Sequence, residues 1–293
     1  MTPAKRKKRG EIKVTIGRFR NLADYEASLE IQREVWRYAD IDVVPVNILI
    51  TAERLGGIAL GAYNSLGEMI GFCWSMPGIE HGEVLQHSHM LAVRSAYRNF
   101  DVGYRLKTAQ RKETLRRKLE TLTWAFDPMQ PLHCYFNLGK LGAWSASYEE
   151  NFCGETSGSA NRALPADRMI ARWDLKNPAV EERLESGPPR HDLRKELKKY
   201  PAINCLEDLT PGMAASSPLR LNLAADVLLF EVPYNLSDIK TRNLGVALEW
   251  QGKMRQVFRT YFKKGYAATD FWIVDADGHL RAFYFLQKRK AAH

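Results

Sequence analysis

From Leu85 to Lys107 the chain reads as strand, turn and helix in immediate succession. Leu85 to Val93 alternates in the manner of a half-buried strand, and a period of two predicts His87, His89, Leu91 and Val93 on one face. The loop that follows delivers Gly103 to the opening of a helix, where unbonded backbone N–H groups and the helix dipole favour an anion. A pair of imidazoles and an anion-binding loop thus lie within about two dozen residues. Any fold proposed for the chain must accommodate both.

Composition narrows the choices. The chain has 293 residues, 45% of them hydrophobic, enough for a substantial core in one large or two small domains. It lacks a run of about 18 apolar residues, so no membrane span is expected. Met1-Thr2-Pro3-Ala4 and Lys5 to Arg9 have no apolar segment after them and do not read as a secretory signal. Cys73, Cys134, Cys153 and Cys205 show neither metal-ligand spacing nor the density of a disulfide scaffold, and a reducing cytoplasmic location is expected. The net charge of +9 is concentrated at the ends: Lys5 to Arg9 and Lys288 to Lys290 carry eight positive charges and leave +1 for the body. Such tails are solvated charge runs, and no aromatic-and-basic strand pattern accompanies them, so nucleic acid is not the expected partner.

Periodicity predicts a strand over Lys13 to Arg20, a helix after Asn21, a second helix from Pro45 to Gly56-Gly57, and strands Ile58 to Tyr63 and Met69 to Met76 joined by a turn at Asn64 to Glu68. The strand carrying His87 and His89 follows, then a helix from Val102 to Lys118 and a strand from Leu119 to Phe126. Asp127-Pro128 ends that strand. A helix is expected over Leu132 to Leu141, closed by Gly142, with strands at Ala143 to Tyr148 and Met169 to Leu175. The resulting organisation is a basic tail over 1–10, a core over 11–175, a linker with one short helix over 176–219, and an extension over 220–293. In the extension a strand at Asp226 to Val232, a helix over Lys240 to Phe262 and the pair Phe271 to Val274 and Leu280 to Leu286 make a β-α-β-β unit.

The element order, together with His87-Ser88-His89-Met90, Arg105-Leu106-Lys107, Gln110-Arg111, Thr123 to Pro128, Phe136-Asn137-Leu138, Lys140-Leu141-Gly142 and Asp167-Arg168, resembles the GNAT N-acyltransferase superfamily. The closer similarity is to a little-characterised bacterial branch of predicted acetyltransferases. The resemblance implies an α/β fold with a mixed, mostly antiparallel, splayed sheet flanked by helices, with the extension appended. It also implies acetyl-CoA or another acyl-CoA as co-substrate, no metal, and a small-molecule or peptide amine as acceptor. Neither the acceptor nor the oligomeric state follows from it.

The resemblance places the phosphate-loop frame on Arg98, Asn99, Phe100, Asp101, Val102 and Gly103, with Tyr104 and Arg105 in the first helical turn. The main chain near Leu91 and Val93 would hydrogen-bond the pantetheine arm, and Asn137 would contact the cofactor or the acceptor. Asp101 stands where glycine is expected. As a carboxylate beside a pyrophosphate it repels, but it tolerates left-handed backbone angles and is suited to cap the helix at Val102, with Arg94, Arg98, Arg105 and Lys107 as compensating charges. Acyl transfer to an amine requires a proton acceptor. Here another member of the superfamily has a similar His-x-His-x-Leu-Ala-Val stretch whose imidazoles relay the amine proton through water, which implies that role for His87 and His89. His-x-His has no third ligand nearby and is a weak metal pattern. Alignment on Lys140-Leu141-Gly142 puts Leu138 where a thiolate-protonating tyrosine is usual, and Tyr135, one turn earlier, is the substitute. Asp127 either recognises an ammonium or caps the turn after its strand.

Overall fold

In the computed structural model, described for residues 12–152, 154, 164–207, 215–276 and 278–289, the chain has an α/β fold. The basic tail at 1–10 lies outside the described residues. Strand β1 is Thr15–Arg18, followed by helices α1 (Leu22–Trp36) and α2 (Val46–Arg54), then strands β2 (Ile58–Tyr63), β3 (Met69–Glu80) and β4 (Glu83–Val93). Helix α3 (Val102–Arg116) leads to β5 (Thr121–Phe126). Strands β6 (Tyr148–Glu149) and β7 (Arg168–Asp174) complete a seven-stranded sheet of order β1-β2-β3-β4-β5-β7-β6. All its pairings whose register is resolved are antiparallel except β4 with β5.

Two compact units divide the chain, one running to Trp124 and the other comprising Ala125 onward. In the first, β2 is buried along its whole length and β3 along its first seven residues. Both faces of these strands are covered, which accounts for their nearly continuous apolar sequence. On one face Phe72, Trp74, Met90 and Ala92 pack with Ile31 of α1 and Leu49 of α2; on the other Ile58, Leu60, Ile70 and Cys73 pack with Val102 and Leu106 of α3. The edge is secured by polar contacts: Asp24 accepts two bonds from the Arg20 guanidinium, each at 3.0 Å, and one from the Tyr63 hydroxyl at 2.9 Å.

The second unit carries helices α5 (Pro178–Ser186), α6 (Leu193–Lys199), α7 (Leu236–Arg242) and α8 (Leu244–Lys263) and a separate sheet, β8 (Val227–Val232), β10 (His279–Lys288) and β9 (Tyr266–Ala276), in that order. Its core is aromatic, with Tyr284 in edge contact with Phe258 and Phe271 and stacked on Phe230. The expected β-α-β-β extension thus forms its own sheet. Cys73 is buried in the first unit and Cys134 in the second, while Cys205 is exposed.

Several expected elements take a different form. The helix over Leu132 to Leu141 is one α turn, α4 (Pro131–Cys134), followed by a π-helix, Tyr135–Lys140. Gly139 permits that wide turn to approach the sheet, since a Cβ there would lie 2.6 Å from the Phe271 carbonyl oxygen. The strand over Ala143 to Tyr148 shrinks to Tyr148–Glu149, because Trp144 and Ser145 make single bridges to Arg172 and Ala268 instead of a ladder. The helix over Lys240 to Phe262 breaks at Asn243, whose side chain caps α8 at Val246 N–H. Among the described residues of the segment 176–219 there are two helices, not one, and Asn177 with Pro178 starts the first of them.

The join between α2 and β2 is tight. A Cβ on Gly57 would lie 2.6 Å from the carbonyl oxygens of both Ala52 and Ser75, and neither is a flexible side-chain end. Gly57→Ala is therefore expected to cost about 2–4 kcal/mol in urea unfolding. A loss below about 0.5 kcal/mol, the scale of an unremarkable surface change, would contradict the packing described.

Candidate functional site

Strand β4 carries an irregularity that decides where its histidines go. Its register with β3 pairs Trp74 with Met90 and Ser75 with Ser88, so His89 is the extra residue of a β-bulge. Directly opposed residues of an antiparallel pair share a face. His87 opposite Met76 therefore lies on the face of Trp74, Met90 and Ala92, whereas Leu91 opposite Cys73 lies on the face of α3. The uninterrupted period of two that put His87, His89, Leu91 and Val93 together does not survive the bulge. His87 and Leu91 face opposite sides.

The two imidazoles remain neighbours, with ring centroids 6.3 Å apart, and His89 also meets the Trp74 ring edge-on at 5.7 Å. Beside them β5 runs parallel to β4 for only two paired positions, Gln86 with Leu122 and His87 with Thr123. The last rung carries a side-chain contact as well: His87 Nδ1 lies 3.0 Å from Thr123 Oγ1. Burial pushes the His87 pKa down to about 4, helped by the charges of His89 and Lys107. His89 is exposed by area, yet the atoms crowded around its ring lower its pKa too. Both rings are neutral at pH 7 and able to accept a proton.

The loop at the start of α3 has the backbone shape that its sequence left in question. Asp101 adopts φ 56° and ψ 17°, the left-handed conformation that a glycine takes most easily, and Asn99 has φ 69°. The Asp101 side chain makes no cap hydrogen bond to the helix, so the expected capping role is corrected. Its carbonyl accepts the first helical bond, from Arg105 N–H at 2.9 Å, which leaves the N–H groups of Val102 and Gly103 without a carbonyl inside the helix. The Gly103 α-carbon faces the side chains of Leu91 and Val93, each 4.0 Å from where a Cβ would stand.

Of the expected compensating charges, Arg98 is exposed and its Nε donates to the Val93 carbonyl at 3.3 Å. The others are engaged elsewhere. Arg94 pairs with Glu34 and Glu30 of α1, Arg105 donates to the Val14 carbonyl, and Lys107 is buried. Tyr104 is partly buried, and its phenol pKa is raised by burial and by the Asp101 charge.

The remaining candidates lie in the second unit. Asp127 is committed on both oxygens: Oδ1 accepts Met129 N–H at 2.8 Å, capping the turn, and Oδ2 accepts Lys240 Nζ at 2.6 Å and Gln130 Nε2 at 3.1 Å. Lys240 and its other neighbours hold the Asp127 carboxyl below the usual range despite its burial. The ammonium it binds is this chain's own. Tyr135 opens the π-helix and is partly buried, while Asn137 and Leu138 within it are buried. Arg183 of α5 clamps the same turn, donating to the carbonyls of Leu138 at 2.8 Å and Gly139 at 2.9 Å. Cys134 Sγ lies 3.0 Å from the Tyr284 hydroxyl in the core, and burial drives its thiol pKa up, which removes it as a nucleophile.

Sequence reasoning missed two polar neighbours of the histidines. Thr123 passed as a strand residue. Lys107 is expected above as a compensating charge for the phosphate loop, although Val102, Leu106, Gln110 and Thr114, the other buried positions of α3, put residue 107 on the inner face by helical spacing. Among the described residues no group of three His, Cys, Asp or Glu side chains is placed to hold a metal ion, and no helix is long and apolar enough to cross a membrane.

No protein-family model matches the chain, and no curated protein is similar to it. Among solved structures it is similar to a GNAT-family acetyltransferase from Staphylococcus aureus Mu50, at 16% identity and a TM-score of 0.41 over 56% of this chain and 100% of that one. It is similar to the ribosomal-protein-S18-alanine N-acetyltransferase of Escherichia coli at 16% identity and 0.42, over 56% and 94%. A GNAT-family acetyltransferase from Elizabethkingia anophelis with acetyl-CoA bound matches at 13% and 0.42, over 57% and 99%.

The buried neutral His87 leaves a thermodynamic trace. Its pKa of about 4 in the folded chain lies below the 6.5 of an unfolded one, so the unfolded state binds more protons between those values and stability falls as pH drops through them. Allowing for the ring's partial exposure, the wild type is expected to lose about 1–3 kcal/mol more than His87→Gln between pH 7 and pH 4. Urea titrations of both proteins at the two pH values measure this, and parallel losses would show that His87 titrates normally.

Proposed function

We propose that this chain is a GNAT-type N-acyltransferase that moves an acyl group, acetyl in the first instance, from acyl-CoA to a primary amine by direct attack in a ternary complex. The observation that carries the reading is the neutral His87–His89 pair at the bulge of β4, on the same strand as the segment Leu91 to Val93 that faces the start of α3. Attack on a thioester carbonyl requires an unprotonated amine, and imidazoles that stay neutral at pH 7 can take up its proton directly or through water. In the tautomer whose Nδ1–H donates to Thr123, the lone pair of His87 Nε2 is the accepting site.

The cofactor's phosphates are assigned to the N–H groups of Val102 and Gly103 with Arg98 alongside, an arrangement of helix start and cation suited to a pyrophosphate. Leu91 and Val93 would offer main-chain hydrogen bonds to the pantetheine arm. As bound there, acyl-CoA supplies the activated carbonyl and a thiolate leaving group. The departing thiolate needs no strong acid because a thiol pKa is low, so Leu138 in place of the usual tyrosine is compatible with turnover, and Tyr135 is the assigned donor where one is used. Asn137 orients the acceptor or the cofactor. Asp127, occupied by Lys240 and the turn after β5, is assigned to hold the local backbone and not to bind substrate.

One observation favours a second reading, an acyl-CoA-binding protein that has lost turnover. A carboxylate stands at Asp101 in the phosphate loop, with Leu138 at the position of the acid. The two readings separate in a single assay series. Under the first, acetyl-CoA and a panel of small amines and peptide N-termini release thiol, and His87→Gln with His89→Gln lowers the rate about 100-fold or more while acetyl-CoA still raises the melting temperature. Stabilisation by acetyl-CoA without thiol release across the panel identifies the second. Absence of any acetyl-CoA effect on melting overturns both.

A further inference from the structure

Lys107 is a lysine in the core of the first unit. It is 2% exposed, on the buried face of α3 between Leu106 and Gln110. Its Nζ donates to Gln110 Oε1 at 2.9 Å and stands 3.7 Å from the centre of the Trp124 ring. Both contacts favour an ammonium, one as a charge-assisted hydrogen bond and the other as a cation over an aromatic face. The Gln110 amide is spent on it: Oε1 accepts from the lysine, and the buried Nε2 has no partner. A buried donor left unsatisfied costs about 1–3 kcal/mol, so this orientation of the amide is held by something that needs its oxygen. That something is the Lys107 amino group, which donates to it.

The geometry links this charge to the histidines. Trp124, under the ammonium, directly follows Thr123, whose hydroxyl meets His87, so one dipeptide of β5 touches Lys107 on one face of the sheet and His87 on the other. Only the last rung of the β4–β5 ladder separates them. The charged or titratable groups acting on His87 are His89 on its own strand and Lys107 from α3; its partners on β3 and β5, Met76 and Thr123, carry no charge. Around Lys107 the titratable neighbour from β3 is Cys73, a thiol whose pKa burial raises to about 12 and which is therefore neutral. A positive charge on Lys107 disfavours a second proton on His87, adding to the larger effect of burial and to that of His89.

We propose that Lys107 is a positioning residue that acts by charge: while protonated in the core behind β5, it adds to burial and to His89 in disfavouring a proton on His87, and so helps to keep that imidazole vacant for the proton of an attacking amine. This rests on the acyl-transfer reading above for its purpose, but not for its physics. Burial brings Lys107 down to about 7 and His87 to about 4, which puts the proton on the lysine between those values. The amine's proton then passes to His87 Nε2 and on to solvent, while the proton on Lys107 never leaves it.

The test is a titration of the full chain labelled with ¹⁵N in histidine and lysine side chains, read by NMR without acyl-CoA or acceptor, with His87 assigned through His87→Gln. In the wild type, Lys107 is expected to titrate above His87, and the reverse order overturns the proposal even if no variant folds. Lys107→Met, which keeps the length and removes the charge, is expected to raise the His87 midpoint by about one pH unit. Lys107→Arg, which keeps the charge, is expected to leave that midpoint near the wild-type value. An unmoved midpoint in Lys107→Met overturns the proposal. Where acyl transfer is measurable, the acid limb of the rate profile in Lys107→Met should shift upward with the His87 midpoint, giving about tenfold lower rate at a pH below both midpoints. A shifted midpoint with an unshifted limb upholds the charge coupling and removes His87 from the proton path.

Discussion

One extra residue in β4 sets the arrangement of the first unit's chemistry. A regular strand would have placed all four of His87, His89, Leu91 and Val93 on one side, crowding the imidazoles against the segment that faces α3. The bulge at His89 hands the two ends of the strand to different faces. Upstream of it His87 lies on the face of Trp74 and Met90, whereas downstream Leu91 and Val93 lie on the face of α3. Bulges bend a strand and interrupt its ladder. Here the parallel pairing with β5 reaches His87, the second residue before the bulge, and goes no further.

The polar groups around this point form a balanced set. His87 is neutralised by burial and meets Thr123; Lys107, its pKa lowered by burial, donates to Gln110 and lies over Trp124; Cys73 stays a thiol. Each is legible only from the others. A buried lysine taken alone is a cost, and a buried histidine taken alone is unremarkable. Their common contact with adjacent residues of β5 makes them one electrostatic unit across the sheet.

The periodicity of the sequence was enough for the succession of strands and helices through β5, because β2, β3 and α3 have clean apolar patterns and their turns carry Asn64, Gly67 and Asp101. It was not enough for features that arise by adding or withholding a single hydrogen bond. A bulge is invisible in a pattern of alternation that happens to continue through it, as His-Ser-His-Met-Leu does. The π-helix at Tyr135–Lys140 has the same apolar spacing as an α-helix over so short a run, and its cause, the close approach of Gly139 to the Phe271 carbonyl, involves a residue far away in sequence. The loop at Asp101 was legible in position and not in conformation: the carboxylate marked a departure, yet the backbone took the left-handed shape regardless. For Asp127 the turn reading matches the bond from Met129 N–H, but the ammonium beside it is that of Lys240 and not an acceptor's, a pairing that only tertiary structure could reveal.

The distribution of thiols has a practical consequence. Cys73 lies in the core of one unit and Cys134 in the core of the other, both with pKa values raised by burial, whereas Cys205 is open to solvent. A thiol-modifying reagent applied to the folded chain will reach Cys205 at once and the two core sulfurs only when their own surroundings open. The chain therefore carries a native pair of clocks. Peptide-resolved alkylation of Cys73 and Cys134 over time would report, without any introduced label, whether the two units loosen together or one before the other.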